Sequence, residues 1–182
     1  MEPHALASPG CEDPPPVMID PRPHVIGSFD GEYSYLASAA PVPTPFRGNV
    51  FSTSEHAFAA ARAANPDDVV HLLSVDSAED ATAFGETIEA VEDWDVDRYA
   101  AMEVIVAAKF AHNAHLGVQL AATMGSVLVN GNTVHDQIWG TCLCPQHIDV
   151  DGDNALGVIL MSVRMRLAAE LAAPDPLETE NP

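Results

Sequence analysis

The sequence has very few positive charges. It contains one lysine, Lys109, and six arginines, against 27 Asp and Glu residues, which gives a formal net charge of −20 over 182 residues. Non-specific binding to nucleic acid needs several Lys or Arg side chains on phosphates, and an acidic surface repels phosphates. We therefore expect no such binding, and we expect any phosphate-bearing substrate to be held by a few arginines gathered at one site.

The sequence also lacks membrane-spanning runs, a secretory signal and the common nucleotide-binding and hydrolase motifs. No run of residues approaches the ~18 apolar positions that a membrane-spanning helix needs, and the first residues lack the basic and apolar parts of a secretory signal. Three cysteines do not make a disulfide framework, which favours a reducing compartment. The glycine-rich dinucleotide fingerprint, the Walker loop and the GxSxG elbow are absent. We predict a cytoplasmic protein with no cofactor and no membrane partner.

The apolar content of 47% is enough for one buried core. Residues 1–22 are rich in proline and residues 173–182 resemble them, so we predict disordered tails on either side of a single domain at residues 23–172. Short apolar runs predict strands at Val25–Phe29, Tyr33–Leu36 and Val50–Ser52. Capping residues and helical periodicity predict helices that begin near Ser54, Pro66, Ser77, Asp95 and Ala155. The pattern indicates an α+β fold, rich in helix, with a small antiparallel sheet.

Lys109 falls on the apolar face of the long predicted helix, Asp95–Asn113. A lysine in such a place pairs with a carboxylate, extends its ammonium group to water, or stays partly desolvated with a lowered pKa. In the last case the neutral amine is nucleophilic and can form an imine with a sugar aldehyde.

Two carboxylates and two tryptophans are further candidates. Glu55 lies in the first turn of a predicted helix, and Asp136 lies in a loop before Trp139. Each carboxylate fits either a capping or turn role or acid/base chemistry, and a pair facing a glycosidic bond would supply both acid and base. Trp94 and Trp139 fit either core packing or stacking on a base.

The segment Cys142-x-Cys144-x-x-His147 has a spacing that zinc could use, with His135 or Asp149 as a fourth ligand. The motif is short, and the apolar Leu143 interrupts it. We therefore predict no metal centre and keep these three residues only as candidates for one.

Several segments together resemble the NADAR family of YbiA-like proteins. The resemblance covers about residues 29–167 and rests on the order and spacing of several short motifs rather than on any one of them. The matching residues are Ser54-Glu55-His56-Ala57-Phe58, Trp94, Met102, Lys109-Phe110, Asn113, Asp136, Trp139-Gly140, Asn154, Leu156-Gly157, Leu160-Met161 and Arg164.

The resemblance implies hydrolysis of the N-glycosidic bond of a ribosylated base or nucleotide, of the ADP-ribosylated guanine or phosphoribosylamino-pyrimidine type. An ADP-ribose-type small molecule or ADP-ribosylated DNA would then be the partner. It implies Lys109, Glu55 and Asp136 as catalytic residues. The expected substrate-binding residues are Trp94, Trp139, Asn154, Gly140, Arg47, Arg62 and Arg164, the arginines for phosphate.

Two mechanisms are open at this stage. Lys109 attacks the anomeric carbon and the sugar ring opens to an imine, or a carboxylate activates water directly. The chain also departs from the family pattern at Leu36–Ala39 and at Asn130, which keeps open an ADP-ribose-binding module without turnover. A third hypothesis is an interaction protein stabilised by zinc at the cysteines. The sequence makes no prediction of the oligomeric state.

Overall fold

The computed structural model describes residues 24–173. The predicted tail at residues 1–22 lies outside this range, as does the predicted tail at residues 173–182 apart from Ala173. The described chain mixes helices and short strands, which confirms the α+β class. In chain order the elements are β1 His24–Ile26, a 3-10 helix Gly31–Leu36, β2 Thr44–Phe46, β3 Asn49–Phe51, α1 Ser54–Arg62, α2 Pro66–Leu72, α3 Ala78–Thr87, α4 Trp94–His112, α5 Ala114–Ala122, β4 Ser126–Leu128, β5 Gly131–Asn132, β6 Thr141–Cys142 and α6 Ala155–Ala172.

Capping side chains set the beginnings of the first three helices. The side chain of Thr53 accepts a hydrogen bond from the backbone amide of His56, and Ser77 does the same for the amide of Asp80. Asn65 accepts from the amide of Asp67, directly before the proline that opens α2. Such caps satisfy amides that the first helical turn leaves unpaired. The predicted positions of α1, α2, α3, α4 and α6 are confirmed to within one or two residues.

The observed strand pairing differs from the one small antiparallel sheet that we predicted. They form three separate pairs, of which only β2–β3 is antiparallel, and β1–β4 and β5–β6 are parallel. A two-residue turn at Arg47 and Gly48, with φ values of 46° and 82°, joins β2 to β3 and suits a hairpin. The other pairs join strands that are separated by longer connections, so nothing requires them to run in opposite directions.

Two further local predictions need correction. The segment Tyr33–Leu36, predicted as a strand, belongs to the 3-10 helix, in which Leu36 is buried and Tyr35 packs edge-on against Phe110 at 6.3 Å between ring centroids. Helix α5 was not predicted, because it follows α4 after a single break at Asn113. In both cases packing against α4 decides the conformation.

Helix α4 lies between the two hydrophobic clusters of the described chain. Its Met102, Val106 and Phe110 pack with residues of β1, β4 and α6, and its Ile105 packs with the buried alanines of α1. Small residues let helices approach closely on the α1 side, where a Cβ atom on Gly85 of α3 would lie 2.9 Å from that of Ala59. No helix among residues 24–173 is long and apolar enough to cross a membrane.

Arg164, on α6, is 6% exposed and ties this helix to the connection between α5 and β4. Its Nη1 donates hydrogen bonds to the backbone oxygen of Thr123 at 2.8 Å, to the Thr123 hydroxyl at 3.1 Å and to the backbone oxygen of Ser126 at 2.9 Å. A buried cation that satisfies several buried oxygens is a structural element, since its removal leaves those oxygens without donors.

We expect Arg164→Met to lower the free energy of unfolding by about 2–4 kcal/mol, because the oxygens of Thr123 and Ser126 lose their donor. Arg166→Met is the matched control on the same helix. Its side chain is half-exposed and pairs with Glu103, so we expect a loss of under about 1 kcal/mol. Urea unfolding of both variants measures the difference, and equal losses would contradict the role given to Arg164.

Candidate active site

A cavity of about 560 Å³ opens where α1, α3, α4 and the segment between β5 and α6 meet. It contains acidic, basic and aromatic side chains together. Its walls are formed by Ser38, Glu55, Phe58, Ala59, Arg62, Thr82, Gly85, Glu86, Trp94, Arg98, Met102, Asn130, Val134, Asp136, Trp139 and Leu156. Of the ten residues predicted for the site, Glu55, Asp136, Trp94, Trp139 and Arg62 line this cavity.

Helical spacing explains how two helices present their side chains here. On α1 the lining residues are Glu55, Phe58, Ala59 and Arg62, which are spaced as i, i+3, i+4 and i+7. On α4 they are Trp94, Arg98 and Met102, spaced as i, i+4 and i+8. Residues at these spacings share one helix face. One face of each helix therefore forms one wall of the cavity.

Glu55 is held by two hydroxyl groups from other parts of the chain. The Ser38 hydroxyl donates a hydrogen bond to Oε1, and the Thr82 hydroxyl donates to Oε2 at 3.2 Å. The backbone amide of Glu55 also donates to the backbone oxygen of Ser38 at 3.2 Å. These contacts fix the half-buried carboxylate in one orientation at the cavity wall. Ser38 and Thr82 were not predicted as site residues, because nothing in the sequence places them beside Glu55.

Asp136 makes the turn contacts that its position in the sequence suggested, and it also faces the cavity. Its Oδ1 accepts hydrogen bonds from the backbone amides of Ile138 at 3.0 Å and Trp139 at 2.9 Å, as in an Asx turn. The Asn132 side chain accepts from the Asp136 amide and donates to its carbonyl oxygen. Asp136 nevertheless lines the cavity, so the turn holds the carboxylate in place beside Trp139.

Three aromatic rings, Phe58, Trp94 and Trp139, line the cavity, and Tyr99 packs against Trp139 outside the lining. Phe58 lies 5.0 Å from Trp94 and 5.2 Å from Trp139 between ring centroids, and Tyr99 lies 5.3 Å from Trp139. Both tryptophans are half-buried rather than sealed in the core. Indole faces at the edge of a polar cavity suit stacking against a planar base or the apolar face of a sugar.

Arg62 and Arg98 bring positive charge to the cavity. The Nε atoms of both are buried without a hydrogen-bond partner among the described residues, and Arg98 Nη2 donates to the Tyr99 hydroxyl at 3.1 Å. A buried donor without a partner is a natural contact for an anionic ligand. Arg98 was not predicted as a site residue, although the sequence places it one helical turn after Trp94 on the same helix face.

Two other arginines predicted for phosphate lie outside this cavity. Arg47 sits in the β2–β3 turn, with its guanidinium 5.0 Å from the ring centroid of Phe46. It lines a different and more open surface groove, together with Asp97 and Val104. Arg164 is occupied by Thr123 and Ser126, as described above. The positive charge available to a ligand in the cavity therefore comes from Arg62 and Arg98.

Lys109 is 1% exposed and does not line the cavity, but it lies directly behind its wall. Its Nζ donates to the backbone oxygen of Ala37 at 2.8 Å, next to the cavity residue Ser38. Burial lowers the pKa of Lys109 to about 7, and the negative charge of Glu55 opposes part of this change. A large fraction of the amine is thus neutral near pH 7, as a nucleophilic lysine requires.

Asn154 and Gly140 support the cavity rather than line it. Asn154, with φ of 50°, accepts a hydrogen bond from the backbone amide of Asn130 and donates one to the backbone oxygen of Leu128, both at 2.9 Å. A Cβ atom on Gly140 would lie 2.1 Å from the backbone oxygen of Asn130, so the position excludes a side chain. Both residues hold the segment that carries Asp136 and Trp139.

A second polar cluster lies on the same segment outside the cavity. His135, Cys142, Cys144 and His147 have ligand atoms that all fall within 4.8 Å of one another, whereas Asp149 is not part of the cluster. Burial opposes ionisation of the Cys142 thiol. Hydrogen bonds from the Cys144 amide and from the side chains of His147 and Cys144 outweigh it, and lower the pKa of Cys142 to about 6.

The chain matches known proteins over most of its length. The NADAR domain family matches residues 27–168, so the chain belongs to this family. The N-glycosidase YbiA of Shigella flexneri serotype 5b (strain 8401) is 30% identical over 145 residues, which cover 79% of this chain and 87% of that protein. The N-glycosidase YbiA of Shigella sonnei (strain Ss046) is 29% identical with the same coverage.

A solved structure has the same fold. The NMR structure of the E. coli protein YbiA matches this chain with a TM-score of 0.71 and 26% sequence identity, over 84% of this chain and 94% of that chain. The family resemblance read from the sequence motifs is therefore confirmed. Both Shigella relatives carry the name N-glycosidase YbiA.

Proposed function

We propose that this protein is an N-glycosidase that hydrolyses the bond between C1 of a ribose and the nitrogen of a base or amine. The observation that carries the proposal is the presence of Glu55 and Asp136 in one cavity, beside Trp94 and Trp139. Cleavage of a glycosidic bond needs one group to protonate the leaving atom and one to activate the attacking group. Two fixed carboxylates beside aromatic rings meet that need.

For the substrate we propose a nucleotide-like ribosyl compound, of the ADP-ribosylated guanine or phosphoribosylamino-pyrimidine type. The volume of about 560 Å³ is in the usual range for a small-molecule site. Arg62 and Arg98 would contact phosphate, and the indoles of Trp94 and Trp139 would stack on the base or sugar. ADP-ribosylated DNA fits only as a modified end or base, because the charge of −20 repels the rest of the polymer. The unpaired thiols of Cys142 and Cys144 suit the cytoplasm.

For the chemistry we propose a covalent route through Lys109. The neutral amine attacks C1 of the ribose as the C–N bond to the base breaks, and Asp136 or Glu55 supplies the proton for the departing nitrogen. The alkylated amine then gives a proton to the ring oxygen, the bond between C1 and that oxygen breaks, and a protonated imine remains between C1 and Nζ. The carboxylate that gave up its proton activates water, which hydrolyses the imine and restores the free amine and the sugar.

The covalent route requires a small movement of the backbone beside Lys109. The amine of Lys109 is bound to the backbone oxygen of Ala37 and lies behind Ser38, so the Ala37–Ser38 segment must shift when substrate enters. The direct route, in which Glu55 or Asp136 activates water against an oxocarbenium-like state, requires no such movement. The two routes differ in whether a covalent adduct forms on Lys109.

The first test concerns the carboxylates. We expect Asp136→Asn and Glu55→Gln to lower the turnover of ribosylated substrates by about 10²–10⁴, because neither amide exchanges a proton. The amide oxygen introduced at position 136 can still accept hydrogen bonds from the backbone amides of Ile138 and Trp139, so the melting temperature should stay within a few degrees. Asp153→Asn is the control, since this exposed carboxylate lies on the same segment outside the cavity. Normal turnover in the two site variants would refute the proposed site.

The second test concerns Lys109. Borohydride added during turnover should trap the sugar on this residue, and peptide mass spectrometry locates the adduct because the chain has one lysine. The rate should fall as the pH is lowered through about 7, since the neutral amine is lost below the pKa of about 7. Lys109→Arg should lose activity by orders of magnitude. Near-normal turnover in that variant, without a trapped adduct, would establish the direct-water route instead.

A stability measurement tests whether Lys109 variants remain folded. The pKa of the amine falls from 10.5 in the unfolded chain to about 7 in the folded chain, so the folded state disfavours the charged form. The penalty is present at neutral pH and disappears as the pH rises toward 10.5. We therefore expect Lys109→Met to melt at or above the temperature of the parent at pH 7, and the difference to shrink at higher pH.

The third test concerns phosphate recognition. We expect Arg98→Gln and Arg62→Gln to weaken the binding of ADP-ribose about tenfold or more, which corresponds to the loss of one charge-assisted hydrogen bond. Arg47→Gln should change the affinity by less than about twofold, because Arg47 lies outside the cavity. Isothermal titration calorimetry measures all three. A larger loss of affinity in Arg47→Gln would show that phosphate binds at the β2–β3 turn instead. Tight binding of ADP-ribose without turnover would favour a binding module.

A further inference from the structure

We propose that His135, Cys142, Cys144 and His147 form a structural zinc site. The Nδ1 atoms of His135 and His147 lie 3.3 Å apart. The Cys144 sulfur lies 3.4 Å from Nδ1 of His135 and 3.3 Å from Nδ1 of His147. The Cys142 sulfur completes the set, with all four ligand atoms within 4.8 Å of one another.

These distances match the edges of a zinc tetrahedron. With Zn–N bonds of about 2.0–2.1 Å and Zn–S bonds of about 2.3 Å, tetrahedral geometry places two nitrogens about 3.3 Å apart and a nitrogen and a sulfur about 3.5 Å apart. The three distances measured among His135, Cys144 and His147 are within about 0.2 Å of these values. These three atoms therefore form one face of a tetrahedron of the size that zinc requires, and the Cys142 sulfur lies within 4.8 Å of each of them.

The ligand types select the metal. Two thiolates and two imidazoles in a tetrahedral arrangement are typical of zinc, whereas magnesium and calcium prefer oxygen ligands. Four protein ligands leave no open position for substrate or water, which is the pattern of a structural rather than a catalytic site. Cys142 and Cys144 are buried, whereas His135 is exposed and His147 is partly exposed, so the site is accessible to an ion on the side of the two histidines.

The site would fasten the segment that carries half of the cavity. His135 directly precedes Asp136, and Cys142 lies three residues after Trp139. Within residues 24–173 this segment contains only the two-residue strands β5 and β6 between β4 and α6. The Gln137 side chain already donates a hydrogen bond to the backbone oxygen of Val150 and accepts one from the amide of Cys142. A metal ion that joins both sides of the segment would restrict its motion further. Zinc binding at this site does not depend on the proposed reaction.

Metal content gives the direct test. Protein purified without chelator should contain about one zinc ion per chain by elemental analysis, or take up one with high affinity in a titration against a chromogenic chelator. Replacement by cobalt should produce the strong absorption of tetrahedral cobalt bound to thiolates. Removal of zinc should lower the melting temperature by about 5 °C or more, as expected for a ligand present well above its dissociation constant.

Variants locate the ion. Cys144→Ser and His147→Ala should each abolish stoichiometric zinc binding and remove the effect of chelator on the melting temperature. Asp149→Asn is the control, since this carboxylate is close in sequence but outside the cluster, and it should keep the zinc content of the parent. If the ligand variants fail to fold, cobalt spectroscopy and chelator titration of the parent protein still decide the question.

Three results would overturn the inference: no zinc after purification and none taken up from added zinc; zinc that Cys144→Ser and His147→Ala retain in full; or a Cys142–Cys144 disulfide, found by thiol counting, in protein prepared under reducing conditions. None of these outcomes depends on glycosidase activity. An inactive protein that binds zinc as described would refute the proposed function and leave the zinc site standing.

Discussion

The side chain of Asn154 connects the parts of the molecule on which the cavity depends. Its amide group binds the backbone of Leu128 and Asn130 at the end of β4, while its own backbone begins α6 in a left-handed conformation. The segment of 23 residues between Asn130 and Asn154 is therefore closed at its base by two hydrogen bonds. Closing an irregular segment at its ends lowers the entropy that must be lost to position the side chains within it. Asp136 and Trp139 gain their fixed positions from this closure.

Charge is distributed very unevenly over the molecule. A surface dominated by Asp and Glu surrounds a cavity that holds two arginines, and a lysine is buried behind the cavity wall. Burial of an amine that is partly uncharged costs less than burial of a permanent ammonium group. Glu55 nevertheless acts on Lys109 from the other side of Ser38 and limits the fall of its pKa. The buried lysine and the half-buried carboxylate of Glu55 are thus electrostatically coupled at the cavity.

The sequence predicted the helices well because their signals are local. Caps such as Thr53 and Ser77 act over three residues, and the apolar face of α4 repeats with the helical period. The strand directions and the structural role of Arg164 were not predictable, because they depend on contacts between distant segments. Arg98 lies on the amphipathic helix α4, and Arg164 lies on the largely apolar helix α6. Only the packing of those helices turns one toward the cavity and the other toward the carbonyl oxygens of Thr123 and Ser126.

The position of the tryptophans has a practical consequence. The chain contains two tryptophans, and both contact Phe58 at the cavity. Intrinsic fluorescence excited at the indole band therefore comes from this one place rather than from the whole molecule. A base that stacks on either ring would quench the emission, and water that enters an open cavity would shift it to longer wavelength. The protein thus carries an optical reporter of cavity occupancy, with no label and no substitution required.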